Sequence, residues 1–239
     1  MRSFSTEHLL TLAAILAVIA GVTVATRLRP GSWTVPASRI LAIVLVVNES
    51  SWWVWLGLHG TYSITYALPM QLCDIACFVA AAALWTRSPL LVELTYFWGL
   101  AGTVNGLITP DVGNHFPDYL YFQYFIAHGA IVAAAMLLVV GLRISPRPWA
   151  ALRVFGLTVA LLVVDAGVDL VTGGNYLYLR HTPGVHSLLD IFGPWPWYVV
   201  GAAGVALVVF MVLDLPFTVS RRLARRPPAT RAQSPVRPA

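Results

Sequence analysis

At 239 residues, 58% hydrophobic and only 10% charged, with a mean hydropathy of +0.75, the chain has too little polar side chain to cover a soluble globule. It reads as a polytopic membrane protein of one domain, with about 20 apolar residues per crossing. The net charge is +5 and all fifteen basic residues are arginine. Because they gather at segment edges and in the tail, they point to orientation and lipid head groups and away from nucleic acid.

Seven apolar segments follow in chain order, at about 8–26, 37–57, 67–86, 89–109, 119–142, 150–171 and 195–216. The first ends in Arg27 and Arg29 without an A-x-A cleavage site, so it reads as a retained span; a cleaved signal peptide is the alternative. Pro36, Pro89, Pro148 and Pro194 or Pro196 fall where helices begin, where a missing N–H costs little. Residues 1–217 form the membrane domain, and 218–239, rich in Arg and Pro, form a disordered cytoplasmic tail suited to anionic inner-leaflet lipid. No internal repeat is evident.

Arginine counting gives the orientation. Arg27, Arg29, Arg39, Arg87, Arg143, Arg147, Arg153 and six in the tail share one side, thirteen in all, against Arg2 and Arg180 on the other. The expected architecture is therefore all-α, a bundle of seven transmembrane helices with the N-terminus outside and the C-terminus cytoplasmic.

Polar residues inside a membrane are costly and mark function by default. The stretch Leu68 to Phe78 sets Cys73 beside Asp74, and the helical rise places both roughly 8 to 10 Å into helix 3. Glu49, Asn105, His128, Asp165 and Asp169 come out at similar depth on four other helices. That convergence predicts a pocket in the outer half of the bilayer, with interhelical hydrogen bonding as the structural alternative.

Cys73 is the candidate nucleophile, His128 the base and Asn105 an oxyanion donor; without a base, Cys73 is a small packing residue. Cys77, one turn away, reads as packing, and the two are expected to be free thiols. Two cysteines with no closing pair of ligands predict no metal, and the lack of a second intramembrane histidine argues against haem, so no cofactor is expected. The long connection from Thr172 to Tyr198 is aromatic and punctuated by Gly and Pro. It predicts an ordered cap in which Asn175, Tyr176, Arg180, Asp190 and Trp197 touch a polar ligand, or else an interfacial aromatic belt. Glu49, Gln71, Asp74, Asp165 and Asp169 complete the predicted binding set.

The motifs LPMQLCD, ELTYFWGLAGTVNGLITPD, FPDYLYFQYFIAHG and NYLYLRHTPGVHSLLDIFGPWPWY resemble, in order and spacing, the YwaF-like bacterial integral membrane proteins over about Val35 to Leu213. More distantly the chain resembles a vertebrate transmembrane acyltransferase family that remodels phospholipid acyl chains through a cysteine, to which Cys73 corresponds. His128 is the comparable residue of still more distant histidine-dependent lipid hydrolases. Where the bacterial pattern commonly carries His two residues before the Cys, this chain has Gln71. The resemblance implies a lipid acyltransferase or acyl hydrolase of the bacterial plasma membrane acting on a membrane lipid. A transporter or binding protein for a lipid or small polar solute, with Glu49, Asn105, Asp165 and Asp169 along a path, and a structural membrane subunit are the competing readings. The sequence specifies no oligomeric state.

Overall fold

The computed structural model describes residues 3–183 and 188–224. The predicted tail beyond Ala224 and the middle of the long loop, with His186, lie outside the described residues.

Every regular element among the described residues is a helix. Helix α1 (Thr6–Leu28) starts at Ser5, whose hydroxyl accepts from the His8 N–H. Then come α2 (Thr34–Leu58), α3 (Leu72–Thr86) and α4 (Pro89–Phe97). Helix α4 runs without interruption through a π-helical turn (Trp98–Thr103) into α5 (Val104–Ile108). Helix α6 (Tyr119–Met136), capped by the Asp118 carboxylate on the Leu120 N–H, ends in a second π turn (Leu137–Gly141). Helix α7 (Ala150–Thr172) stops at Gly173, whose φ of +75° suits glycine and whose N–H caps the Asp169 carbonyl. Short 3-10 turns at Tyr176–Tyr178 and Leu188–Phe192 lead into α8 (Trp197–Ala224).

Helix α6 is the axis of the bundle. In its most apolar window 78% of residues are buried, against 17% for α1 and α7 and 11% for α8. The interior alternates small and large residues. Ala76, Ala80 and Ala83 of α3 and Ala134 of α6 let backbones approach, while Leu45, Phe97, Ile131, Leu137 and Leu138 fill the space between. The outward faces are apolar too, with Leu10, Val47, Val163, Val171 and Val212 more than half exposed. Such faces suit lipid, where a helix satisfies its own backbone hydrogen bonds.

Among the described residues five helices, α1, α2, α6 with its π turn, α7 and α8, are long and apolar enough to cross a membrane. The seven expected segments are all helical, but two fall short of that test. Helix α3 begins at Leu72 instead of 67, because the chain from Gly60 to Gln71 turns repeatedly before a cap forms. The 89–109 segment is helical from Pro89 to Ile108 but divided by its π turn. Helix α8 continues through Pro216 to Ala224, past the expected end at 216.

The two ends of the bundle differ in chemistry. At the end bearing the 142–149 connection, fully buried Glu93 receives the Arg147 Nε at 2.8 Å, its Nη2 at 3.0 Å and its backbone N–H at 2.9 Å, with Arg153 Nη1 at 2.7 Å. Asp214 lies 3.5 Å from Arg221 of α8. This is the arginine end. The opposite loop end gathers the 59–71 and 109–118 connections, the described residues 173–183 and 188–196, and most of the predicted site residues.

Candidate functional site

Pro69 and the turn before it leave Gln71 extended, with φ −69° and ψ 145°, as the N-cap of α3. Gln71 and Asp74 close a capping box: the Gln71 side chain accepts from the Asp74 N–H, and the Asp74 carboxylate accepts from the Gln71 N–H at 3.2 Å. Cys73 is consequently the second residue of the helix and not one buried 8 to 10 Å along it. First-turn N–H groups have no partner within a helix. The Asp74 N–H is capped, and those of Leu72 and Cys73 donate to no group among the described residues.

Cys73 is partly exposed and Cys77 buried; both are free thiols, as expected. Beside Cys73 lies the hydroxyl of Thr103, fully buried at the end of the π turn. Cys77 faces Glu49, which α2 buries to 2% exposure, and Glu49 lies close enough to Asp74 for their charges to interact. Four of the predicted residues, Glu49, Gln71, Cys73 and Asp74, therefore meet around the start of α3.

A glycine stripe brings the neighbouring helix close. Gly99, Gly102 and Gly106 recur at helical spacing, and a Cβ at each would meet Ala135 at 3.3 Å, Leu72 at 2.9 Å and the His128 ring at 2.6 Å. His128 donates from Nδ1 to the Tyr124 carbonyl at 2.8 Å and stacks on the Tyr124 ring with centroids 4.1 Å apart. In the neutral ring this leaves the Nε2 lone pair free toward Gly106. Tyr124 in turn donates to the Gly106 carbonyl at 2.9 Å. No described hydrogen bond joins His128 to Cys73; the two are connected through Tyr124 and the turn between Gly102 and Gly106. Asn105 is exposed and donates to the Ala101 carbonyl at 3.1 Å, one turn back on its own helix.

The loop from 173 docks on this arrangement. Tyr176, wholly buried, gives its N–H to Asp169 Oδ1 at 2.8 Å and its hydroxyl to the Ile64 carbonyl at 2.8 Å, while accepting from the Leu68 N–H. The Leu177 N–H donates to Gln71 Oε1 at 3.1 Å. Gln71 thus serves both the helix cap and the loop. Tyr178 donates to Asp111 at 3.3 Å, and burial with the adjacent carboxylate pushes its phenol up to about 12. Asn175 and Arg180 organise the loop itself: Asn175 Oδ1 accepts from the Arg180 and His181 N–H groups, and the Arg180 guanidinium caps the Gly174 carbonyl. Asp190 is exposed in the second 3-10 turn, and Trp197 opens α8 with 64% of its surface exposed. Asp165 and Asp169 are buried on α7 at 0% and 1% exposure.

Under the loop, Leu72, Phe155, Thr158, Leu162, Tyr178 and Tyr198 contribute to the lining of an almost wholly apolar cavity of about 180 Å³ between α7 and α8. Leu72 adjoins Cys73, so the cavity reaches the thiol's neighbourhood. Thr103, Tyr124, Tyr178 and the free N–H groups of Leu72 and Cys73 were not among the residues predicted from sequence. Only the glycine stripe in WGLAGTVNG carries a readable signal for the close approach.

Apolar helices with lipid-facing sides define an integral membrane protein, and the polar cluster built on one helix N-terminus under a docked loop is its candidate site. The chain belongs to the TMEM164 family, whose model matches residues 3–214. No curated protein and no solved structure matches it.

Proposed function

We propose that this protein is a lipid acyltransferase that carries the acyl group on Cys73. It crosses the bacterial plasma membrane seven times, N-terminus outside, with the loop end facing outward, a reading that rests on the arginine distribution and on the resemblance to YwaF-like proteins. The observation that carries the reading is the position of Cys73, partly exposed in the first turn of α3 beside two free backbone N–H groups. The Leu72 and Cys73 N–H groups are then the oxyanion donors, in place of Asn105.

The sulfur attacks the ester carbonyl of a donor lipid, the C–O bond breaks, and a thioester forms as the lysolipid alcohol leaves with a proton. An acceptor hydroxyl then attacks the thioester and returns the proton to sulfur. His128 Nε2 relays these protons, reaching the sulfur through the lipid hydroxyl or a water, because no described hydrogen bond joins the two side chains. The apolar cavity beside Leu72 accepts the acyl chain. Below Cys77 the interior is filled by Ala80, Ala83, Leu84, Ile131, Ala134, Leu137 and Leu138, each at most 2% exposed. A sealed lower half favours chemistry at one end over a path across the bundle.

The test uses membranes supplied with a phospholipid bearing an alkyne-tagged acyl chain. The protein should acquire a hydroxylamine-labile label that Cys73→Ala abolishes and Cys77→Ala keeps. Equal labelling of the Cys73→Ala variant, with unchanged membrane lipid composition, overturns the assignment.

A further inference from the structure

On α7, Thr158, Leu162, Asp165 and Asp169 follow one another at three- and four-residue steps and so share one face. The lower two line the apolar cavity; the upper two are carboxylates covered almost completely by protein. Both oxygens of Asp165 and Oδ2 of Asp169 have no hydrogen-bond partner among the described residues. Asp169 Oδ1 alone is satisfied, by the Tyr176 N–H. Neither carboxylate joins an ion pair among those described, and the nearby Arg180 guanidinium is directed to the Gly174 carbonyl.

Three orphaned carboxylate oxygens within one helical turn are expensive, since each buried, unpaired charge costs several kcal/mol. Their place aggravates the cost. Asp169 lies in the last turn of α7, where the helix dipole is negative and repels anions while attracting cations. Buried charges in proteins are paired or hold an ion. Two carboxylates one turn apart, with three free oxygens at the cation-attracting end of a helix, supply what a single positive charge lacks. They are fewer donors than a structural zinc site requires.

We infer that Asp165 and Asp169 form a binding site for a monovalent cation, filled by a free alkali ion or by the ammonium group of a lipid. The site goes beyond acyl transfer and does not depend on it. Through Asp169 and Tyr176 the cation holds the loop, and through Leu177 and Gln71 the loop holds the cap of α3. Occupancy therefore steadies the segment that covers Cys73.

The experiment follows thermal unfolding of the full chain in a neutral maltoside detergent. Sodium, potassium or N-methylglucamine chloride is supplied at one ionic strength, then phosphatidylethanolamine or phosphatidylglycerol at matched loading. At ten times the dissociation constant a bound cation should raise the midpoint by about 3 to 6 °C. A saturable rise with sodium or potassium over N-methylglucamine, lost in Asp165→Asn and Asp169→Asn, assigns a free ion. A rise only with phosphatidylethanolamine, lost in the same variants, assigns the ammonium head group. A wild-type midpoint indifferent to every cation and lipid overturns the proposal, and this comparison needs no variant to fold. A rise that survives both substitutions overturns it equally.

Discussion

Replacing Gln71 by alanine tests the connection between the cap of α3 and the outer loop. The substitution removes one amide oxygen that accepts from both the Asp74 and the Leu177 N–H. Loss of a side-chain cap costs about 0.5–2 kcal/mol, and loss of a neutral hydrogen bond about 0.5–1.5 kcal/mol. The central expectation is about 2 kcal/mol, or a midpoint lower by about 4 to 8 °C in a chain of this size. Because both bonds are local, hydrogen exchange reads them directly. Amides at Asp74 and Leu177 lose their acceptor and should exchange without global unfolding, while Ile131 and Leu138 in the α6 core keep theirs and speed up by at most the global factor, about 30-fold for 2 kcal/mol. Reactivity of Cys73 toward a thiol reagent should alter in the same variant, since its turn loses the cap. Unchanged exchange at Leu177 would refute the reasoning, for it would mean that Tyr176 alone anchors the loop.

At the arginine end, Glu93→Gln removes the charge met by Arg147 and Arg153; with Arg147 46% exposed, the expected loss is about 2 to 4 kcal/mol. A thermal midpoint within 2 °C of the parent (about 1 kcal/mol at most) would sink that expectation. Gly106→Ala should reverse the usual gain of alanine over glycine in a helix, because its Cβ would lie 2.6 Å from the His128 ring. Gly167→Ala on α7, with nothing within 4 Å, is the control that should gain about 0.5–1 kcal/mol, and equal gains at both sites would contradict the packing. Tyr178 gives a pH test. Its phenol is raised to about 12 by burial and by Asp111, whereas an unfolded tyrosine titrates near 10. Its contribution to stability is therefore complete below about pH 10 and lost as pH rises toward 12. Tyr178→Phe should flatten that loss in unfolding curves taken between pH 9 and 11.5; an identical slope in both proteins would count against the buried phenol.

Composition and apolar segment length determined that this is an all-helical membrane protein, because no soluble fold survives such a surface and every chain crossing must satisfy its own backbone. The same rules marked seven segments that are helical, five of them long and apolar enough to cross a membrane, and polar residues standing out against apolar sequence marked Cys73, Glu49, Asp74, His128, Asp165 and Asp169. Helical rise, however, presumes that a helix starts where its apolar run starts. The Gln71–Asp74 capping box moved that start to Leu72, and with it Cys73 from mid-helix to a helix N-terminus with free N–H groups. Whether polar groups at one depth actually touch depends on how each helix is rotated, which packing decides. It joined Cys73 to Thr103 through a π turn, turned Asn105 back on its own helix, and set His128 against Gly106 through Tyr124. It also left Asp165 and Asp169 buried without partners, a property of the surrounding shell that no residue's own identity specifies.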